Sequence, residues 1–259
     1  MTRSDEPRPT TSLCHSSADD VVVHGRSLPR AIIGHMTFTE LVYLHLTGRE
    51  ATPAQVALLD ACLVTLMEHG LTPSAVATRL TYTSAPESLQ GAVAAGLLGV
   101  GSLFVGTSEG AAALLSDIAR APDPAARAEA IAGEAKARGQ RLPGFGHPLH
   151  RPRDPRTVAL LDVAKAHGLH GAHCDALVLL SAAVDRLAGR PIPVNATGGV
   201  AALALDAGLP VEILRGVAVI SRAAGLVGHI REEQLRPAMF ALWEGAEQAV
   251  PYHDPEDSP

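Results

Sequence analysis

Aromatic residues are scarce. Four Phe, three Tyr and one Trp make up 3% of 259 residues. That excludes the base-stacking platforms of single-strand nucleic-acid binders. It also leaves Ala, Leu and Val to build the core, a mix that favours closely packed helices. A basic excess is missing too. Lys and Arg number 21 against 27 Asp and Glu, a net charge of −6, so no general nucleic-acid surface is expected. Cysteine is limited to Cys14, Cys62 and Cys174, an odd and widely spaced set without C-x-x-C. This excludes a disulfide framework or a zinc knuckle and points to a reduced, cytoplasmic setting. Residues 1–12 are polar and have no apolar stretch of the signal-peptide kind. The longest apolar run, residues 91–105, is broken by four glycines and is too short to span a bilayer, so no membrane partner is expected. What remains, 47% hydrophobic and 19% charged, is the balance of a globular protein of one or two domains.

Helix punctuation dominates the rest. Thr52-Pro53, Thr72-Pro73, Asp123-Pro124 and Asp154-Pro155 each read as an N-cap followed by proline at the first helical position. Thr37 with Glu40 and Thr52 with Gln55 have capping-box spacing. Gly48, Gly70, Gly139, Gly168, Gly189 and Gly208 stand where left-handed helix ends are needed. Between these marks Val56, Leu59, Leu63, Leu66 and Met67 recur at steps of three and four, as do Val158, Leu161 and Ala164. Segments 87–104, 173–188 and 210–236 are apolar nearly all round and predict buried helices. No convincing strand alternation occurs. The fold class is therefore all-α, with about ten helices.

Residues 143–156, PGFGHPLHRPRDPR, break this pattern. Glycines and prolines make a fixed loop, and two histidines and three arginines precede or enter a helix that opens at Asp154. A histidine beside arginines and a helix N-terminus suits an anionic substrate, with an imidazole able to move a proton near neutral pH. A solvated basic turn is the plainer reading. Gly144 and Gly146, which bracket Phe145, permit close backbone approach to a ligand.

GFGHP followed by DPR resembles the citrate synthase superfamily, and the chain's size its citryl-CoA lyase branch, the module that ends ATP-citrate lyase. The resemblance covers roughly residues 16–236. It takes in TFTELVYLHLTGR (37–49), EHGLTPSAVATRL (68–80), LQGAVAAGLLGVGS (89–102), PVNATGG (193–199) and ISRAAGLVGHIREE (220–233). It implies a helical homodimer, with a large domain formed by residues 13–105 and 196–252, a small domain at 106–195, and an active site between them. It implies cleavage of a carbon–carbon bond next to a coenzyme A thioester, with acyl-CoA and dicarboxylates as small-molecule partners and no metal or redox cofactor. His147 matches the loop histidine that serves the hydroxyl or carbonyl oxygen. His69 matches a histidine on the oxaloacetate part, and Arg156 and Arg222 match arginines that grip carboxylates. Arg151, with Gly144 and Gly146, is the candidate for coenzyme A.

Two positions depart from citrate synthases. Phe104 replaces a histidine, as it does in the lyase module, and is carried over as substrate-binding. Thr197 replaces the aspartate that handles the proton on the thioester α-carbon. Threonine exchanges hydrogen bonds but is no base at neutral pH, and Glu109 is the nearest motif-borne carboxylate that could take over. Thr197 keeps two rival readings open: a non-catalytic binder of acyl-CoA or dicarboxylate, and a condensing acyltransferase with other acid–base groups. The cluster of His167, His170 and His173 reads as a helix junction, because Gly168 and Gly171 interrupt any alignment of imidazoles. Gly96, Gly99 and Gly101 read as a helix-packing stripe, since no strand precedes them.

Overall fold

The computed structural model describes residues 8–101 and 107–254. Eleven α-helices appear among the described residues: α1 (Phe38–Thr47), α2 (Pro53–Met67), α3 (Pro73–Ser84), α4 (Leu89–Leu98), α5 (Thr107–Arg120), α6 (Pro124–Ala137), α7 (Pro155–Ala166), α8 (Ala172–Ala188), α9 (Ala196–Asp206), α10 (Leu214–Leu235) and α11 (Met239–Ala249). The capping boxes at Thr37 and Thr52 form, and Asp123 and Asp154 accept N-cap hydrogen bonds. All six helix-ending glycines take positive φ. Thr72 departs from expectation: it occupies the N-cap of α3, but its buried hydroxyl finds no partner among the described residues.

The chain also holds a small antiparallel sheet that the sequence pattern does not predict. Strands β1 (Cys14–Ser16), β2 (Val21–Val23) and β3 (Arg26–Ser27) pair in that order. Two or three residues are too few for alternation to register. The β2–β3 connection is the residue pair His24-Gly25, both at positive φ (47° and 77°), the twist a two-residue hairpin needs.

Helix α9 is the centre of the molecule. It is buried at Ala196 and at every residue from Gly198 to Leu205, and it packs against α2, α5, α7 and α8. Small residues permit this: a Cβ on Gly199 would lie 3.1 Å from Leu160 of α7. Tyr43 and Gln55 close its far end by donating to the Ala207 carbonyl at 2.8 and 2.9 Å. Its N-terminus is thereby fixed next to the loop before α7.

The all-round burial expected of segment 87–104 does not hold for the single chain. In α4 only Ala92 and Gly96 are buried, and Leu98 is 88% exposed; among the described elements α3 and α10 are the ones that pack closely on it. Of the glycine stripe, Gly96 and Gly99 serve packing, since a Cβ on Gly96 would collide with Thr78, Leu226 and the Ser74 carbonyl and one on Gly99 would lie 3.1 Å from Ser74 Oγ, whereas one on Gly101 would meet nothing within 4 Å among the described residues. Residues Val211–Leu235 are long and apolar enough to cross a bilayer. They nevertheless form a core helix, with Arg222, His229 and Glu233 buried in α10.

Candidate active site

Four segments converge: the turn after α2 at Glu68–Gly70, the loop of residues 143–154, the N-terminus of α9, and Arg222 of α10. The loop is stitched to the entry of α9. The Gly146 N–H donates to Pro193 O at 2.8 Å, the Asn195 N–H to Gly144 O at 2.9 Å, and Asn195 Nδ2 to Gly146 O at 3.1 Å. Gly144 has φ of 84°, and a Cβ there would sit 2.9 Å from the Cα of Gly198. What Gly144 approaches closely is thus α9. Gly146, also at positive φ, faces open space, and Arg151 is exposed.

Inside this frame three imidazoles gather. His147 stacks on His150 with ring centroids 4.3 Å apart and meets His69 edge-on at 5.6 Å. His147 Nδ1 accepts from the N–H groups of Leu149 and His150, each at 3.1 Å. The proton of the neutral ring is therefore assigned to Nε2. Burial, then the charges of His150 and Arg156, push the His147 pKa below its ordinary value, with Asp154 opposing. Burial, then Arg156 and Arg222, push His69 down as well. Both shifts favour the neutral rings.

Each arginine has a distinct setting. Arg156 binds the buried Asp154 through Nε (3.0 Å) and Nη2 (2.7 Å), which leaves Nη1 turned to His69 Nδ1 at 3.4 Å. Burial raises Asp154, but its bonds to Arg156 outweigh that and hold it ionised. Arg222 is 5% exposed, and its Nε and Nη1 have no hydrogen-bond partner among the described residues. Burial lowers its pKa, with Glu68 opposing. The donor atoms of His147, His150 and Asp154 lie within 4.8 Å of one another. Within this trio Asp154 is bound by Arg156 and His147 Nδ1 accepts two backbone N–H groups.

Thr197 heads α9, where its hydroxyl donates to Asn195 Oδ1 at 2.7 Å and lies 2.8 Å from Thr107 Oγ1. The position is neutral and hydrogen-bonded. Glu109 of α5 accepts from Arg215 Nη2 at 2.6 Å, so the carboxylate considered as a substitute base is held in an ion pair. Phe104 lies outside the described residues. Sequence reasoning missed His150, the orienting role of Asp154, and Asn195, which ties Thr197 to the loop. Asp154 and Asn195 carried a local signal, each being an N-cap beside a singled-out motif.

The family model for the citrate synthase C-terminal domain matches residues 21–240. A citrate synthase of Acidithiobacillus ferridurans is 28% identical over 214 residues, covering 79% of this chain and 53% of that protein. The chain spans about half the length of the curated relatives it matches. The structure of citryl-CoA lyase from Hydrogenobacter thermophilus superposes with a TM-score of 0.85 at 28% identity, covering 96% of this chain and 95% of that one. ATP citrate lyase from Methanothrix soehngenii shares the fold, with a TM-score of 0.79 at 19% identity over 98% of this chain and 43% of that one.

Proposed function

Because the chain belongs to the citrate synthase family, we propose that it cleaves a β-hydroxyacyl-CoA of the citryl-CoA type to acetyl-CoA and oxaloacetate or a related keto acid. The observation that carries this reading is Arg222. A buried guanidinium with two unpaired nitrogens is costly unless a ligand completes it. A carboxylate is the ligand whose geometry a guanidinium fork matches. His69 and Arg156, whose Nη1 lies 3.4 Å from His69 Nδ1, stand ready for the same dicarboxylate. Likeness to a citryl-CoA lyase along nearly the whole of both chains supports the lyase direction.

In cleavage, the β-hydroxyl proton passes to solvent water, the electrons of the breaking carbon–carbon bond flow into the thioester to give an enolate, the β-oxygen becomes a ketone, and the enolate carbon takes a proton from water. His147 presents Nε2–H to that oxygen, and its neutral state keeps Nδ1 free to accept the two loop N–H groups. The coenzyme A thioester is the substrate, and the scheme uses no metal or redox cofactor. Arg151, on the exposed side of the loop, is assigned to a coenzyme A phosphate. We further read residues 106–195 as a small domain closing on the rest, in a cytoplasmic homodimer.

A second reading is favoured by one observation: Thr197 and Thr107 leave no carboxylate at the family's α-carbon position, and Glu109 is engaged by Arg215. A protein so built would bind the ligands without turnover. A thermal-shift panel with coenzyme A, acetyl-CoA, oxaloacetate and citrate, followed by a citryl-CoA cleavage assay, separates the two. The lyase gives slow but measurable cleavage that His147→Ala reduces by about 10²-fold or more. Ligand-induced shifts without cleavage identify the binder.

A further inference from the structure

The turn that presents His69 is held from behind. Glu68 Oε1 accepts the N–H groups of His69 and Gly70, both at 2.7 Å. Its other oxygen, Oε2, faces His229 of α10, 2.9 Å from Nε2 at ion-pair distance but off hydrogen-bond alignment. His229 Nδ1 accepts from Arg79 Nε of α3 at 3.1 Å, which assigns its neutral-state proton to Nε2, on the Glu68 side. Arg79 also donates to Glu233 Oε2 at 2.9 Å and pairs with Glu232. Glu233 Oε1 accepts the N–H groups of Ala238 and Met239 at the start of α11. Arg79, His229 and Glu233 are all buried. Gly225 makes the approach possible: a Cβ there would lie 2.0 Å from the Met67 carbonyl, so α10 backs directly onto the end of α2.

Burying such an ionic cluster brings little net stability, because desolvation offsets the attraction. Its geometry has another use. Burial raises the Glu68 pKa, but the N–H of His69, His229 and the N–H of Gly70 together hold it below the ordinary value. Glu68 therefore stays a carboxylate, able to fix the turn and to balance Arg222. We propose that His229 is a positioning residue: backed by Arg79, it holds Glu68 and so sets the His69 turn against Arg222 for binding the substrate's carboxylates. The carboxylate part of this inference rests on the lyase reading above, whereas the mechanical part does not.

The test compares two substitutions in the full chain. His229→Asn keeps an acceptor for Arg79 but is too short to reach Glu68. His229→Gln retains a donor long enough to reach it. Amide hydrogen exchange in the ligand-free protein reads the turn directly. His229→Asn should speed exchange at His69 and Gly70 by about tenfold while α9 keeps its protection, and His229→Gln should stay near wild type. Calorimetric titration with oxaloacetate should show affinity lowered by about tenfold in His229→Asn and restored in His229→Gln. Unchanged exchange at the turn in His229→Asn, or equal effects of the two substitutions, overturns the proposal. Failure of the wild type to bind oxaloacetate removes the lyase reading and the carboxylate part, and exchange still decides the mechanical part. Should His229→Asn lose protection across α9, Arg79→Lys is read in its place. It keeps a charge on Glu233 but withdraws the bond to His229, and faster exchange at the same two amides is again required.

Discussion

Arg222 is the residue at which stability and function pull in opposite directions. In the free protein two of its nitrogens are buried without partners among the described residues, which costs free energy that a bound carboxylate would return. Arg222→Leu should therefore weaken oxaloacetate binding by about tenfold or more, the worth of a charged hydrogen bond. It should leave the thermal midpoint equal or higher. A lower midpoint with unchanged affinity would assign Arg222 to packing alone. Thr197 poses the complementary question. Its hydroxyl sits at the N-terminus of α9 between Asn195 and Thr107, where a helix end favours negative charge. Thr197→Asp should restore an acid–base group to the α-carbon position and raise citryl-CoA cleavage by about 10²-fold, the low end for such a group. A rate that stays at the wild-type level while citryl-CoA still binds would show that the pocket has been retuned for another acyl group.

Between helices, the firmest polar anchor lies away from the site. Asp206, the last residue of α9, accepts the N–H groups of Gly171, His173 and Cys174 and the His173 ring at 2.8–3.1 Å. It thereby joins the end of α9 to the start of α8. Burial raises its pKa, but the His173 and Cys174 donors dominate and bring it down from 3.8 to about 2. A folded value below the unfolded one means stability that is complete above about pH 4 and lost as the pH falls toward 2. Asp206→Asn should lower stability at pH 7 by about 2 kcal/mol, and urea unfolding should show the gap closing between pH 4 and 2. A gap constant with pH would place the contribution in packing. Interactions of this kind were not legible in the sequence. Asp206 and His173 are 33 positions apart, Glu109 and Arg215 106, and nothing local announces either pair. The capping boxes at Thr37 and Thr52 and the helix-ending glycines were legible because their chemistry closes within three or four residues. His147 and Arg156 stood out because a rigid loop concentrates their charge. Asn195 signalled only its N-cap, because its bond to Gly146, 49 positions away, is made by the fold, and His150 signalled only its place in the loop.

At the scale of the whole molecule, the single chain leaves too much apolar surface uncovered. Leu98 is 88% exposed, and along and beyond α11 Phe240, Trp243, Val250 and Tyr252 are 67%, 55%, 78% and 84% exposed. Helices α4 and α11 both pack on α3, so Leu98, Phe240 and Trp243 lie on two elements that share one neighbour. Isolated exposed apolar residues need no explanation, but grouped large ones mark an interaction surface. A second copy of the chain is the simplest occupant, because a two-fold axis lets one self-complementary patch cover itself. Light scattering at micromolar concentration should therefore give about twice the 26.8 kDa chain mass, as expected for a dimer. Leu98→Glu and Trp243→Glu, each placing a charge where the contact would be dry, should shift the population toward the monomer without loss of helical content. A wild-type mass near 26.8 kDa would remove the dimer and leave these faces without a partner.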